Sequence, residues 1–186
     1  MINWLSMLTA DQIFFNSRYH LEDWFEELPR LLKHFPDHTH LHRVAEVQAR
    51  AQVLPVGCDL RSRGQLSSPR PQAADTPLIL WNQRWEYDKA PGVFLRALYA
   101  LADEGLDFQV ALAGRSYRQS APEFEAARER LGPRVVHFGY ADQAQYTTLL
   151  RRADAVISTA IHEFFGAAVV EAIYCGCFPV LPRRLS

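Results

Sequence analysis

DAVISTAIHEFFGAAVVEA, residues 154–172, is the stretch on which the fold turns. DAVISTA (154–160) is a short apolar run with the composition of a strand buried on both faces. A loop carrying His162 and Glu163 follows, and Gly166 opens a helical run through Glu171. Working outward, PLILWN (77–82), FQVALAG (108–114), RVVHFG (134–139) and CFPVLP (177–182) read as further buried strands. Helical segments are expected between them at 90–104, 121–131, 143–153 and 165–175. Strand and helix alternate with short loops, which is the pattern of an α/β, Rossmann-like, doubly wound parallel sheet. Sheets of this type take their ligands at the carboxyl ends of the strands, so the loops after the strands carry the functional reading.

The first part of the chain is patterned differently. DQIFFNS (11–17) reads as a short buried strand, and RYHLEDWFEELPRLLKHF (18–35) has helical spacing at Leu21, Trp24, Phe25, Leu28, Leu31 and Leu32. Pro29 predicts a break or kink in that helix. Residues 42–50 suggest another short helix, and AQVLPVG (51–57) another strand. DLRSRGQLSSPRPQAADTP (59–77) is polar and without period, and reads as a linker. The expected organisation is therefore residues 1–58 as an N-terminal unit, 59–76 as linker, and 77–186 as a C-terminal ligand-binding domain.

The chain has 186 residues, 48% hydrophobic and 22% charged, enough to bury a proper core. A net charge of −1 gives no global basic footprint for nucleic acid, so any RNA contact needs a local patch. Only Lys33 and Lys89 are lysines, against eighteen arginines, so a lysine inside a motif is informative. Cys58, Cys175 and Cys177 form neither a disulfide framework nor a zinc spacing, which suggests reduced thiols and a cytoplasmic setting. No apolar run approaches the ~20 residues of a membrane span, and the N-terminus lacks a basic n-region.

Two constellations carry chemistry. Arg84 and Lys89 follow the strand at 77–82; a guanidinium fork and a compact ammonium suit phosphate oxygens, although two solvated loop cations give the same spacing. The helix opening at Gly166 offers backbone N–H groups and the positive end of its dipole to an anion. Glu163 and Glu171 flank that opening. Carboxylates repel phosphate but accept hydrogen bonds from vicinal hydroxyls, so the pair suits a phosphate held between two sugars. The blander alternative has Glu163 complementing the helix dipole and Glu171 in solvent.

Taken in order, Arg84-x4-Lys89, Gly114, HFGY (137–140), HEFFGAAVVEA (162–172) and IYCGCFPVLP (173–182) resemble the nucleotide-sugar-binding domain of retaining GT-B glycosyltransferases of family four. FFNSRYH (14–20), WNQRWEYDK (81–89), ISTAIHEFFG (157–166) and EAIYCGCFPVLPRRLS (171–186) look like one branch, the tRNA-queuosine alpha-mannosyltransferases. That resemblance implies transfer of mannose from GDP-mannose to queuosine in the tRNA anticodon, with retention of configuration. It implies that Arg84 and Lys89 clamp the diphosphate, that amides around Phe165 and Gly166 hold the distal phosphate, and that Glu163 grips the transferred hexose. It further implies that Glu171 holds the ribose, that Phe138, Gly139 and Tyr140 lie near the base, and that His162 shapes the sugar pocket. No metal is expected, since no Asp-x-Asp signature is present. The branch usually has His where this chain has Gln83. The first domain and the end of the second are shorter than the family pattern, so the chain reads as a fragment of the enzyme. A family-four transferase using another nucleotide sugar and acceptor is the alternative.

Other tempting clusters are weaker. His34, His38, His40 and His42 lie close in sequence, but Pro36 and Asp37 predict a turn rather than a metal-binding strand. Cys175-x-Cys177 suits packing better than redox work. Trp81, Trp85 and Tyr87 suit core and loop packing better than an RNA-stacking platform, and Arg61, Arg63 and Arg70 suit a solvated linker better than a tRNA contact.

Overall fold

In the computed structural model, residues 2–61, 76–115 and 122–183 are described. The chain divides into two compact units, one built on Met1–Gly57 and the other on Cys58–Arg184.

In the first unit, α1 (Ile2–Thr9), β1 (Ile13–Phe15), α2 (Arg18–Leu32), α3 (Val44–Ala49) and β2 (Ala51–Val53) follow one another. β1 and β2 pair in parallel, Phe14 opposite Gln52. Ser17 caps α2 by accepting the His20 N–H at 3.1 Å. Of the break or kink expected at Pro29, the break does not occur: the helix continues to Leu32. The proline lies in the last turns, and Leu28 and Leu32 on either side of it are buried with Trp4, Phe15, Phe25 and Val47. Burying each such side chain contributes roughly 1.5–3 kcal/mol, enough to offset the one backbone hydrogen bond a late proline removes. The predicted strand at 51–57 is shorter, ending at Val53, and residues 54–57 are exposed.

The second unit contains β3 (Leu78–Trp81), α4 (Pro91–Asp103), β4 (Gln109–Ala113), α5 (Pro122–Leu131), β5 (Val135–Gly139), α6 (Gln143–Arg152), β6 (Ala155–Ile157), α7 (Ala167–Tyr174) and β7 (Phe178–Val180). All pairs are parallel and the order is β5-β4-β3-β6-β7. The chain steps outward from β3 to β5, then crosses back through α6 to start again at β6. Right-handed crossovers therefore place α4 and α5 on one face and α6 and α7 on the other.

The core confirms the two faces. Leu78, Leu80, Ala111 and Ala113 pack with Leu149, Leu150, Val169 and Ala172 of α6 and α7. Trp81, Val110 and Leu112 pack with Phe94, Leu98, Phe124 and Leu131 of α4 and α5. That is the period-two alternation of a strand buried on both sides. Trp81 stacks on Phe94 with centroids 4.4 Å apart, and Trp85 on Phe124 at 4.1 Å. Both tryptophans are packing residues, whereas Tyr87 is exposed. Cys177 is buried and donates from Sγ to the carbonyls of Leu150 and Ala153, both at 3.3 Å, so it also packs. The order reverses between β3 and β6, and this switch point is where such sheets open a crevice.

Candidate functional site: the carboxyl ends of β3 to β6

Two loops meet at the switch point. One, residues 82–90, leaves β3; the other, residues 158–166, leaves β6. Backbone and side chain join them: Ile161 N–H donates to the Asp88 carbonyl at 2.7 Å, and the Thr159 hydroxyl lies 2.8 Å from the Lys89 carbonyl and 3.0 Å from that of Ala90. Lys89 is drawn inward and only 6% exposed. Its Nζ donates to the His162 carbonyl and to Glu163 Oε2, each at 3.0 Å, and stands 3.4 Å from Asp88 Oδ2.

Thus Lys89 and Glu163, 74 residues apart in sequence, form an ion pair. Glu163 Oε1 also accepts the Phe164 N–H at 3.2 Å. Asp88 bridges outward to the exposed Arg84, at 3.5 Å. An exposed pair of that kind is worth about 0–1 kcal/mol, so Arg84 is readily released to a ligand. The partly buried Lys89 holds a fixed position and orients Glu163. The side chain of His162 points to the exposed surface; its contribution to the geometry is its carbonyl.

Gly166 begins α7 in the left-handed region, φ 77°, where glycine carries no steric penalty. A Cβ there would also come within 3.4 Å of Glu163 Cγ. Phe165 and Gly166 are half-buried between Glu163 and the helix.

Glu171 is held differently. It is 9% exposed and accepts a hydrogen bond from the Tyr146 hydroxyl at 2.9 Å. Asn82 Nδ2 donates to that same hydroxyl at 3.0 Å and to the Ala168 carbonyl at 2.8 Å. Tyr146 sits on α6, which starts with a full capping box, Asp142 and Gln145 each accepting the other's backbone N–H.

A cleft of about 360 Å³ opens at this end of the sheet, lined by residues including Asn82, Gln83, Arg84, Arg115, Tyr140 and Tyr146. Its wall needs Gly114: a Cβ there would lie 2.1 Å from the Gln83 carbonyl oxygen and 2.8 Å from Trp85 Nε1. Arg115 lies over the Tyr140 ring at 4.9 Å.

Of the residues singled out in the sequence, Lys89 and Glu163 meet directly, Arg84 joins them through Asp88, and Arg84 and Tyr140 line the cleft. Glu171 adjoins the cleft through Tyr146. Phe138, expected near the base, packs its ring against Trp85 at 4.9 Å, with Arg128 over it at 4.9 Å. Gly139 acts through its backbone, its carbonyl accepting the Gly114 N–H at 2.9 Å. Gln83 was noted only as a departure from the family pattern, and Asn82, Arg115 and Tyr146 were missed. Only Tyr146 had a usable signal, a hydroxyl on the apolar stripe of α6 that includes Leu149 and Leu150. Among the described residues no group of three His, Cys, Asp or Glu can hold a metal ion, and no helix is long and apolar enough to cross a membrane.

A parallel sheet ordered in this way, with its crevice at the switch point, has the architecture of one Rossmann-like domain of the GT-B class. Residues 64–183 match the family described as glycosyl transferases group 1, and the chain belongs to that family. More particularly, residues 1–58 match the tRNA-queuosine alpha-mannosyltransferase N-terminal family. The tRNA-queuosine alpha-mannosyltransferase of Drosophila melanogaster is 34% identical over 189 residues, covering 97% of this chain and 50% of that protein. A GDP-mannose-dependent alpha-(1-6)-phosphatidylinositol dimannoside mannosyltransferase of Mycobacterium tuberculosis is 29% identical, covering 70% of this chain and 35% of that protein. The chain thus spans half or less of the length of these relatives. The catalytic domain of starch synthase IV from Arabidopsis thaliana superposes with a TM-score of 0.69 at 16% identity, over 95% of this chain and 40% of that one. Sucrose-phosphate synthase from Thermosynechococcus elongatus gives 0.66 at 20% identity, over 97% and 43%.

Proposed function

We propose that the chain supplies the donor side of a retaining mannosyltransferase that moves mannose from GDP-mannose to queuosine in the tRNA anticodon. The observation that carries this reading is the Lys89–Glu163 pair, set by the joined loops of β3 and β6 beside a cleft lined by Arg84. In this reading Arg84 and Lys89 meet the diphosphate, helped by the amides at Phe165 and Gly166. Glu163 accepts hydrogen bonds from mannose hydroxyls and Glu171 from those of the ribose. Tyr140 lies by the base and His162 at the edge of the sugar pocket.

Breaking the bond between the mannosyl C1 and the diphosphate oxygen leaves negative charge on GDP. Arg84 and Lys89 stabilise that charge as it grows, and the acceptor hydroxyl adds to C1 on the face GDP leaves while its proton passes to the departing diphosphate oxygen. Because the fixed Lys89, the adjustable Arg84 and a helix N-terminus fill the role, we propose that transfer proceeds without a metal ion. The donor is supported by relatives whose names specify GDP-mannose, in Mycobacterium tuberculosis and in Xanthomonas oryzae. The acceptor is supported by the match of residues 1–58 and by the Drosophila relative. A tRNA acceptor and cysteines held as thiols rather than disulfides are consistent with a cytoplasmic setting.

The test is transfer of labelled mannose to tRNA with and without queuosine, in EDTA, by the longest form of the protein that carries this chain. Label on queuosine-containing tRNA alone is expected. The similarity to D-inositol 3-phosphate glycosyltransferase of Xylanimonas cellulosilytica, 33% over 125 residues, favours a second reading, a family-four transferase with another acceptor. Donor turnover with no tRNA labelling selects that reading instead.

A further inference from the structure

Two adjacent side chains lining the cleft are buried with unmet hydrogen-bonding capacity. Asn82 is 8% exposed and Gln83 6%. Asn82 Nδ2 is committed to the Tyr146 hydroxyl and to the Ala168 carbonyl. A carbonyl only accepts, so the amide orientation is settled and Asn82 Oδ1 is left as a buried acceptor with no partner. Gln83 Nε2 is a buried donor with no partner. Buried amides are ordinarily paired, and unpaired ones in a ligand cleft point to the ligand.

We infer that Gln83 is a phosphate-binding residue of the donor site, its side-chain amide donating to a phosphate oxygen of the nucleoside diphosphate. This rests on the donor-site reading above. The polarity of the cleft selects the phosphate. Gln83 is followed in the chain by Arg84 and shares the cleft with Arg115, so its free donor belongs to a cationic edge. Asn82 is tied through Tyr146 to Glu171, so its free acceptor belongs to the edge that suits hydroxyls. One unmet donor and one unmet acceptor thus repeat the charges of their neighbours, anion side and hydroxyl side.

The experiment titrates GDP and guanosine into the 186-residue chain and into Gln83→Leu, Gln83→Glu and Gln83→His, with thermal melts of each. Leucine removes a buried unpaired amide, so Gln83→Leu is expected to melt at or above the parent temperature. It should bind GDP about 10-fold more weakly and guanosine unchanged. Gln83→Glu should bind GDP more weakly still, through like-charge repulsion, while the ring N–H of Gln83→His should retain most of the affinity. Equal GDP affinity in Gln83→Leu, equal loss of GDP and guanosine, or a lowered melting temperature in that variant overturns the inference. A parent chain that melts cooperatively but binds no GDP removes the donor-site reading itself, and the inference with it.

Discussion

Glu163 and Glu171 carry the same charge near one cleft and are held by opposite means. Glu163 lies in a loop, partly exposed, with the Lys89 ammonium at 3.0 Å. Glu171 lies in helix α7, nearly buried, with the neutral Tyr146 hydroxyl at 2.9 Å. A carboxylate held by a cation is fixed in place while its charge is largely cancelled. One held by a phenol keeps its charge and remains a strong acceptor. The first suits a group that must sit beside a diphosphate without repelling it; the second suits a group that holds hydroxyls at a distance from phosphate.

The largest expected effect removes the wall of the cleft itself. Gly114→Ala drives a Cβ into the Gln83 backbone, and should destabilise the second unit by about 3 kcal/mol or more, read as a lowered thermal midpoint and lost GDP binding. Lys89→Met comes next. It leaves Glu163 and Asp88 without their common cation, and GDP-mannose affinity should fall roughly 100-fold, measured by calorimetry.

The contrast itself is sharpened by exchanging each acid for its amide. Glu171→Gln should weaken GDP and GDP-mannose alike, by about 10-fold, because the ribose is common to both. Glu163→Gln should weaken GDP-mannose by a similar factor and leave GDP unchanged, because only the sugar nucleotide carries the hexose. Equal losses from both ligands in both variants would break the distinction. The smallest effect is Tyr146→Phe, which removes one hydrogen bond to Glu171 and should cost about 3-fold in GDP affinity.

The fold of the second unit was legible because a parallel sheet buried on both faces writes its strands as continuous apolar runs, and Trp81, Val110 and Leu112 alternate with Leu80, Ala111 and Ala113 as that burial requires. The uninterrupted helix through Pro29 was not legible, since it depends on what Leu28 and Leu32 bury. The residue types of the site were visible at 84, 89, 163 and 171, but their pairing was not. Lys89 read as a free phosphate-binding cation, and only the joining of two loops through Thr159 and Ile161 brings it onto Glu163. The packing of Phe138 within β5 against Trp85, with Arg128 over its ring, was not legible either, since Trp85 comes from a loop distant in sequence.

The most direct measurement is titration calorimetry of the chain with GDP-mannose, GDP and UDP-glucose. Our account predicts that GDP-mannose and GDP bind at one site and displace each other, and that UDP-glucose binds far more weakly. A folded chain that gives no heat with any of the three, or binds UDP-glucose as tightly as GDP-mannose, would contradict it.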